Sequence, residues 1–117
     1  MKTGIDICEV DRFVNKERNF FAGVFTENEI TYAESFVCPE EHYAGFFSAK
    51  EAIMKAIGLG VDKIRTIDIE ILHDKNKKPY AILKGNAKNL FGEMEENKIE
   101  ISISHTKKIA TAIAIFW

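Results

Sequence analysis

The residue with the clearest chemical implication is Asp6, an acidic side chain inside the apolar stretch 3–10. Ile5 and Ile7 alternate with Asp6 and Cys8, which is the period of a β-strand. Burying an unpaired carboxylate in such a strand is costly unless a cation or hydrogen-bond donors compensate its charge. Asp6 therefore predicts either a metal site or a structural pair with a lysine or with backbone amides.

A second polar group lies on a helix predicted over residues 39–58. Because residues three and four apart share a helix face, Ser48, Glu51 and Lys55 are predicted to form a polar stripe. The simplest interpretation is an exposed pair of Glu51 and Lys55 that adds roughly a few tenths of a kcal/mol. The other is a magnesium site that combines Glu51 with Asp6, since Mg²⁺ takes one or two carboxylates together with substrate phosphates.

Two further segments have the composition to contact an anion. Gly58 and Gly60 follow the predicted helix and would present backbone amides to a phosphate, although a helix C-terminus favours glycine in any case. Ser104, His105 and Thr106 end a predicted strand and offer two hydroxyls and an imidazole. The simpler interpretation of this second segment is a turn. No elbow glycine pattern accompanies Ser104, which argues against nucleophilic acyl transfer.

Length and composition exclude several classes of protein. The chain has 117 residues, of which 46% are hydrophobic, and a formal net charge of -2, which suits one domain over residues 1–117. It has no long basic run typical of a nucleic-acid binder, and its longest apolar run is far shorter than the about 20 residues of a membrane span. The acidic start lacks a signal peptide's apolar stretch, so a cytoplasmic protein is expected. Cys8 and Cys38 are expected to be small buried side chains.

The order of predicted strands and helices indicates an α+β domain, with a largely antiparallel sheet packed against helices. Thr26 and Glu29 form a capping box at the start of one helix. The remaining elements are helices over 26–36 and 87–94, a hairpin of strands 66–71 and 80–83, and strands over 99–104 and 109–117. In the last strand, small alanines alternate with larger isoleucines, so a helix should approach one face closely and both faces are expected to be covered.

Three segments, in this order, resemble the holo-(acyl-carrier-protein) synthase family of 4′-phosphopantetheinyl transferases. They are GIDICEVDRF at 4–13, FSAKEAIMKAIGLG at 47–60 and ISHT at 103–106. The resemblance spans nearly the whole chain, and the length suits the small single-domain members. The combination is specific, whereas any one segment alone is a weak signal.

The resemblance implies the fold of that family and the transfer of 4′-phosphopantetheine from coenzyme A to a serine of apo acyl carrier protein, with release of 3′,5′-ADP. It implies that Asp6 and Glu51 hold Mg²⁺ against the coenzyme A pyrophosphate. It also implies that Lys55 neutralises phosphate charge during the transfer, in which positioning and electrostatics dominate. The serine proton would pass to Glu51 or to a water on the metal, and the residues leave that choice open.

The same resemblance assigns further contacts and an assembly. The residues that would contact the nucleotide and its phosphates are Lys55, Gly58, Gly60, Lys78, Pro79, Ser104, His105 and Thr106. Arg12 matches the basic residue that the family presents to the acidic recognition helix of the carrier protein. Small members of the family form homotrimers with sites between subunits, so a homotrimer is expected.

Three positions depart from the family pattern. Phe46 stands where members often have arginine, Leu59 replaces a hydroxyl residue between two glycines, and Lys77 replaces a turn glycine. These departures bear on nucleotide contacts and leave the predicted metal pair intact. Two alternative functions are a module that binds coenzyme A without turnover and a trimeric interaction protein. The presence of Asp6, Glu51 and Lys55 argues against both.

Overall fold

The structure is a computed structural model that describes residues 1–58 and 61–117. Its strands are β1 (Lys2–Glu9), β2 (Ile69–His73), β3 (Pro79–Leu83), β4 (Ile99–His105) and β5 (Ile109–Phe116). Its helices are α1 (Arg18–Val24), α2 (Glu27–Glu34), α3 (Pro39–Ile57) and α4 (Gly85–Gly92), with 3-10 turns at Val10–Phe13, Val61–Lys63 and Thr66–Asp68. This arrangement confirms the predicted α+β class.

An antiparallel sheet with the strand order β1-β5-β4 frames the site. Asp6 of β1 is paired in register with Ala112 of β5, and Ala112 is paired with Ile103 of β4. β2 and β3 form a separate antiparallel hairpin, and β3 packs beside β4. β1 and β4 are therefore opposite edges of the sheet, with β5 between them.

The long helix α3 covers the inner face of this sheet, and small side chains let it approach closely, as predicted. Side chains of α3 and β5 are buried between the two layers: Ala49, Ala52, Ile53, Ala56, Ala110, Ala112 and Ala114. The tightest point is Gly4 of β1, where an added Cβ would lie 1.9 Å from the Ala52 carbonyl oxygen. The backbones of β1 and α3 thus touch directly. In the described part of the chain, no helix combines the length and apolar character needed to cross a membrane.

A fully buried ion pair ties α2 and α3 to β2. Lys50 Nζ lies 2.8 Å from Glu29 Oε1, and neither side chain is exposed. The ammonium also donates to the carbonyls of Val24 and Thr66, so each of its three protons has an acceptor. The other Glu29 oxygen accepts from the Ile71 amide at 2.8 Å. The pair therefore holds α3 in place at the residue directly before Glu51.

Several element boundaries differ from the sequence prediction. The capping box of Thr26 and Glu29 is confirmed, but α2 ends at Glu34. The predicted strand over 66–71 starts later, because Thr66–Asp68 forms a 3-10 turn that is closed by the Asp68 carboxylate accepting from the Arg65 amide at 3.1 Å. Helix α1 was not predicted, since it has no side-chain cap and no buried residue to produce an apolar period.

Two predictions of burial were wrong, each for a local reason. Cys8 is buried as expected, but Cys38 is exposed because it lies in the connection that starts α3. Ser48 does not join the polar stripe of Glu51 and Lys55. It is fully buried under the sheet and its hydroxyl donates to the Ala110 carbonyl at 3.4 Å.

The outer face of the sheet is apolar and uncovered by the described part of the chain, contrary to the prediction for the last strand. Ile5 is 65% exposed and Ile7 is 68% exposed. Ile109 and Ile113 of β5 are 42% and 38% exposed on the same side. We call these four residues the isoleucine face. The alternation of β1 is therefore confirmed, with Asp6 turned inward and the isoleucines turned outward.

Gly4→Ala should destabilise the fold, because the added methyl would overlap backbone atoms of α3 that move only if the helix moves. We expect the free energy of unfolding to fall by about 2 kcal/mol or more in urea denaturation. Gly23→Ala in α1 is the matched control, since no heavy atom lies within 4 Å of the Cβ it adds. Gly23→Ala should be neutral or slightly stabilising. Equal stabilities of the two variants would contradict the close approach of β1 to α3.

Candidate active site

Asp6 of β1 and Glu51 of α3 come together near the point where the strand and the helix touch. The Asp6 side chain is only 15% exposed. Burial raises the pKa of Glu51 above 4.5, and the negative charge of Asp6 raises it further, while Lys55 and Arg12 act in the opposite direction. The pair therefore concentrates negative charge that its cationic neighbours do not fully compensate.

Lys55 provides the nearest compensation. Its ammonium donates to Asp6 Oδ1 at 3.0 Å and to the Ile5 carbonyl at 3.0 Å. The predicted surface pair of Lys55 with Glu51 is thus replaced by an ion pair with Asp6. Because the Lys55 side chain is 54% exposed, this pair contributes little to stability. The ammonium is therefore available to an anion that arrives from solvent.

The two carboxylates have the donor chemistry that Mg²⁺ prefers. Mg²⁺ binds hard oxygens in an octahedron and commonly keeps waters or substrate phosphates as most of its ligands. Within residues 1–58 and 61–117, no group of three His, Cys, Asp or Glu side chains could hold a metal. Asp6 and Glu51 could therefore hold Mg²⁺ only as a pair, with the other ligands supplied by solvent or substrate.

Arg12 lies at the rim of this pair, on the 3-10 turn that follows β1. Its guanidinium carbon is 4.8 Å from the centroid of the Phe47 ring, and its Nη1 is 3.9 Å from Cys8 Sγ. The stacking on Phe47 holds the charge at the surface. The side chain predicted to contact a partner thus adjoins the predicted metal pair.

The end of α3 is closed by Gly58, as predicted. Its φ of 80° lies in the left-handed region that favours glycine, and its amide donates to the Met54 carbonyl at 3.0 Å. Gly58 and Lys55 border one open cleft. Gly60 and Leu59 lie outside the described residues.

The other predicted contact residues lie at the opposite edge of the sheet. Pro79 and His105 line a cleft between α2, α3, the β2–β3 turn and the end of β4. We call it the histidine cleft, since its lining includes all three histidines of the chain; other lining residues are Tyr32, Phe46, Lys77 and Pro79. Lys77 has a φ of 65°, which accounts for a glycine at this turn position in the family pattern.

Three predicted contacts lie beside the histidine cleft without lining it. Lys78 forms a 2.5 Å ion pair with Glu100 of β4. Ser104 is exposed and is paired with Thr111, on the side of the sheet that carries the isoleucine face. The hydroxyl of Thr106 accepts from the amides of residues 108 and 109, so it closes the β4–β5 turn.

Within a single chain, the predicted site residues lie in two groups that are far apart. His42 and Glu51 are nine residues apart on α3, which is about 14 Å along the axis and two and a half turns. They therefore project from opposite sides of the helix. Asp6 and His105 likewise lie on the two edge strands of the sheet, with β5 between them.

Sequence reasoning missed His42 and His73. Both line the histidine cleft, but they come from different elements and share no local spacing that a pattern would reveal. His73 stacks on Tyr32 with 4.0 Å between ring centroids. Their proximity is a property of the tertiary fold.

Comparison with known proteins decides the family. A family model described as the 4′-phosphopantetheinyl transferase superfamily matches residues 2–114. This chain belongs to that superfamily. The expected family and the expected fold are thereby confirmed.

The matches with individual relatives extend over almost the whole length of both chains. A holo-[acyl-carrier-protein] synthase of Clostridium tetani is 45% identical over 115 residues, 96% of this chain and 91% of that protein. One of Caldanaerobacter subterraneus subsp. tengcongensis is 41% identical over 115 residues, with the same two shares. A crystal structure of the Bacillus anthracis holo-(acyl-carrier-protein) synthase in complex with CoA (3′,5′-ADP) has a TM-score of 0.79 and 33% identity, and the match covers 98% of this chain and 94% of that one.

In this phosphopantetheinyl transferase, Glu51→Gln should leave the fold at least as stable as the parent at pH 7. The folded-state pKa of Glu51 is raised, so its ionisation opposes folding at higher pH. The advantage of Glu51→Gln should shrink as the pH falls to about 3, below the unfolded-state pKa, where the parent side chain is largely protonated in both states. Urea denaturation at both pH values measures this, with the exposed Glu95→Gln as control. A Glu51→Gln protein clearly less stable than the parent at pH 7 would contradict the conclusion that ionisation of Glu51 opposes folding.

Proposed function

We propose that this protein transfers 4′-phosphopantetheine from coenzyme A to a serine of apo acyl carrier protein and releases 3′,5′-ADP. The observation that carries the proposal is the pair of Asp6 and Glu51, with Lys55 beside it, on the fold of the superfamily. The names of the relatives and the CoA complex of the Bacillus anthracis protein support both substrates. The free thiols of Cys8 and Cys38 suit a reducing compartment, so we place the reaction in the cytoplasm.

Asp6 and Glu51 would hold Mg²⁺ against the pyrophosphate of coenzyme A. When bound, Mg²⁺ draws charge from the phosphate oxygens and orients them. Lys55 exchanges its bond to Asp6 for a phosphate oxygen, and its ammonium neutralises charge that develops there. The close approach at Gly4 keeps the two carboxylates together before substrate arrives, so that little reorganisation accompanies binding.

The transfer itself is a displacement at phosphorus. The carrier serine forms a bond to the phosphorus on the pantetheine side, and the bond from that phosphorus to the oxygen of the 3′,5′-ADP portion breaks. The serine proton would pass to Glu51 or to a water at the same site. Arg12 positions the carrier at the rim of the same site.

Asp6→Asn and Glu51→Gln should each reduce transfer at least about 100-fold, since each removes a charge on which the ion and the phosphate depend. The measurement is the mass of an intact apo carrier protein after incubation with enzyme, coenzyme A and Mg²⁺. EDTA should abolish the mass gain of the parent enzyme. Glu95→Gln should behave as the parent. Variants of Asp6 and Glu51 with activity within twofold of the parent would overturn the metal assignment.

Arg12→Glu should raise the KM for the carrier protein about tenfold or more and leave the KM for coenzyme A nearly unchanged. The reason is that the guanidinium lies on Phe47 at the surface and meets the acidic partner rather than the nucleotide. Lys88→Glu on α4 is a control for charge reversal at an exposed site. A carrier KM equal to that of the parent would contradict the docking role of Arg12.

We also propose that the enzyme is a homotrimer whose sites lie between subunits. The isoleucine face is a row of exposed apolar side chains on one side of β1 and β5, a feature typical of an interface. In one chain, the histidine cleft and the carboxylate pair lie on opposite sides of α3. A site that unites them takes the carboxylate pair from one copy and the histidine cleft from the next.

Co-expression of two inactive variants tests this shared site. Asp6→Asn and His105→Ala affect different groups, so a mixed assembly contains sites in which both groups are intact and should recover a measurable part of the parent activity. Asp6→Asn co-expressed with Glu51→Gln is the matched control and should remain inactive, because both changes lie in the same group. Failure of the first combination to exceed the second would contradict a site shared between copies.

A further inference from the structure

The Lys55 ammonium lies against the carboxylate that is proposed to bind Mg²⁺. It donates to Asp6 Oδ1 at 3.0 Å and to the Ile5 carbonyl at 3.0 Å. Both acceptors belong to β1, which is an edge strand of the sheet. The ammonium has three protons and the side chain is 54% exposed, so one proton remains for solvent. Lys55 therefore bridges α3 and β1 at the proposed position of the metal.

Lys55 is the cation that compensates this pair of carboxylates. In the part of the chain that the structure describes, no other cation forms an ion pair with Asp6 or Glu51. Arg12 lies at the rim, but its guanidinium stacks on the Phe47 ring at 4.8 Å. The Asp6 side chain is only 15% exposed, so solvent screens its charge less than that of a surface group. The ammonium thus occupies the site at which a second cation would be attracted.

A divalent cation and the ammonium compete for Asp6. Both need the lone pairs of Asp6 Oδ1, and their positive charges repel each other at such short range. Two carboxylates alone also fill only part of the octahedron that Mg²⁺ requires. Within residues 1–58 and 61–117, no third His, Cys, Asp or Glu side chain completes the group. While the ammonium stays in place, the pair of Asp6 and Glu51 should bind a divalent cation only weakly.

The ion pair of Lys55 and Asp6 can be exchanged at low cost. An exposed pair of this kind contributes little free energy, and the lysine stem is flexible enough to carry the ammonium to another acceptor. Lys55 also borders an open cleft, together with Lys2 and Gly58. A pyrophosphate bound there would offer oxygens to the ammonium and further oxygens to a metal. Its arrival therefore removes the competitor and supplies the missing ligands together.

We propose that Lys55 is an internal counter-ion that keeps a divalent cation off Asp6 and Glu51 until a pyrophosphate draws the ammonium away. The inference rests on the proposed function, in which that pyrophosphate belongs to coenzyme A. No covalent bond changes, because the ammonium only exchanges one acceptor for another. The metal and coenzyme A therefore bind cooperatively, and each raises the affinity for the other by the same factor.

The test is the binding of Mn²⁺, in place of Mg²⁺, to the full chain, followed by the electron paramagnetic resonance signal of free Mn²⁺. Without coenzyme A, Lys55→Met should lower the Kd of Mn²⁺ about tenfold, because it removes the competing charge. Loss of a residue that only binds phosphate would leave this Kd unchanged. Coenzyme A should lower the Kd of Mn²⁺ for the parent, and by a severalfold smaller factor for Lys55→Met. A titration of coenzyme A alone corrects for Mn²⁺ bound by the ligand in solution.

Three further variants show whether the effect belongs to this contact. Lys2→Met removes an exposed charge that borders the same cleft and should change the Kd of Mn²⁺ by less than about twofold. Lys55→Gln should act like Lys55→Met, since the charge is the competitor, and it provides the measurement if Lys55→Met does not fold. Asp6→Asn added to Lys55→Met should abolish the gain in affinity for Mn²⁺.

An unchanged or higher Kd of Mn²⁺ for the Lys55 variants without coenzyme A would overturn the inference. An equal gain in Lys2→Met, or a gain that survives Asp6→Asn, would also overturn it, because the ion would then respond to net charge or bind elsewhere. These results leave the proposed transfer intact as long as coenzyme A promotes Mn²⁺ binding to the parent. Failure of the parent to bind Mn²⁺ even with coenzyme A would overturn the proposed metal site together with this inference.

Discussion

The contact between the backbones of β1 and α3 at Gly4 sets the geometry on which the site depends. A side chain at this position would have to occupy the space of the Ala52 carbonyl, so only glycine lets the strand lie this close to the helix. Two residues further along β1, the same closeness brings Asp6 near Glu51. Lys55, four residues after Glu51 on α3, pairs with Asp6. The buried pair of Lys50 and Glu29 fixes the helix from its other side. A structural ion pair and the carboxylate proposed to bind the metal thus occupy adjacent positions of α3.

The two carboxylates store electrostatic strain that a substrate-bound cation would relieve. The raised pKa of Glu51 is the sign of that strain, and strained charge of this kind is typical of functional sites rather than of stabilising pairs. By contrast, each buried side-chain polar atom of Lys50 and Glu29 has a hydrogen-bond partner. The histidine cleft differs from both pairs, since burial lowers the pKa of His42 and of His73 there. Helix α3 therefore contributes to three features: the buried ion pair of Lys50 and Glu29, the carboxylate pair of Asp6 and Glu51, and the histidine cleft.

Local sequence patterns predicted the elements that carry the site because those elements have strong periods and caps. The alternation around Asp6, the capping box at Thr26 and the glycine at 58 each act within a few residues. Burial was harder to predict, since a helical stripe shows which side chains share a face but not what covers them; Ser48 is covered and Cys38 is not. His42 and His73 meet only through tertiary packing. The pairing of Asp6 with Glu51 was one alternative argued from the residues and was favoured by the family resemblance, but their proximity required the fold.

We propose that Asp6 and Glu51 together hold a divalent cation on the coenzyme A pyrophosphate. Anomalous diffraction from crystals grown with coenzyme A and Mn²⁺, in place of Mg²⁺, tests it most directly. We expect one strong anomalous peak about 2.1 Å from a carboxylate oxygen of each residue and in contact with pyrophosphate oxygens. A bound coenzyme A with the Mn²⁺ peak elsewhere, or with a peak that touches neither carboxylate, would contradict it.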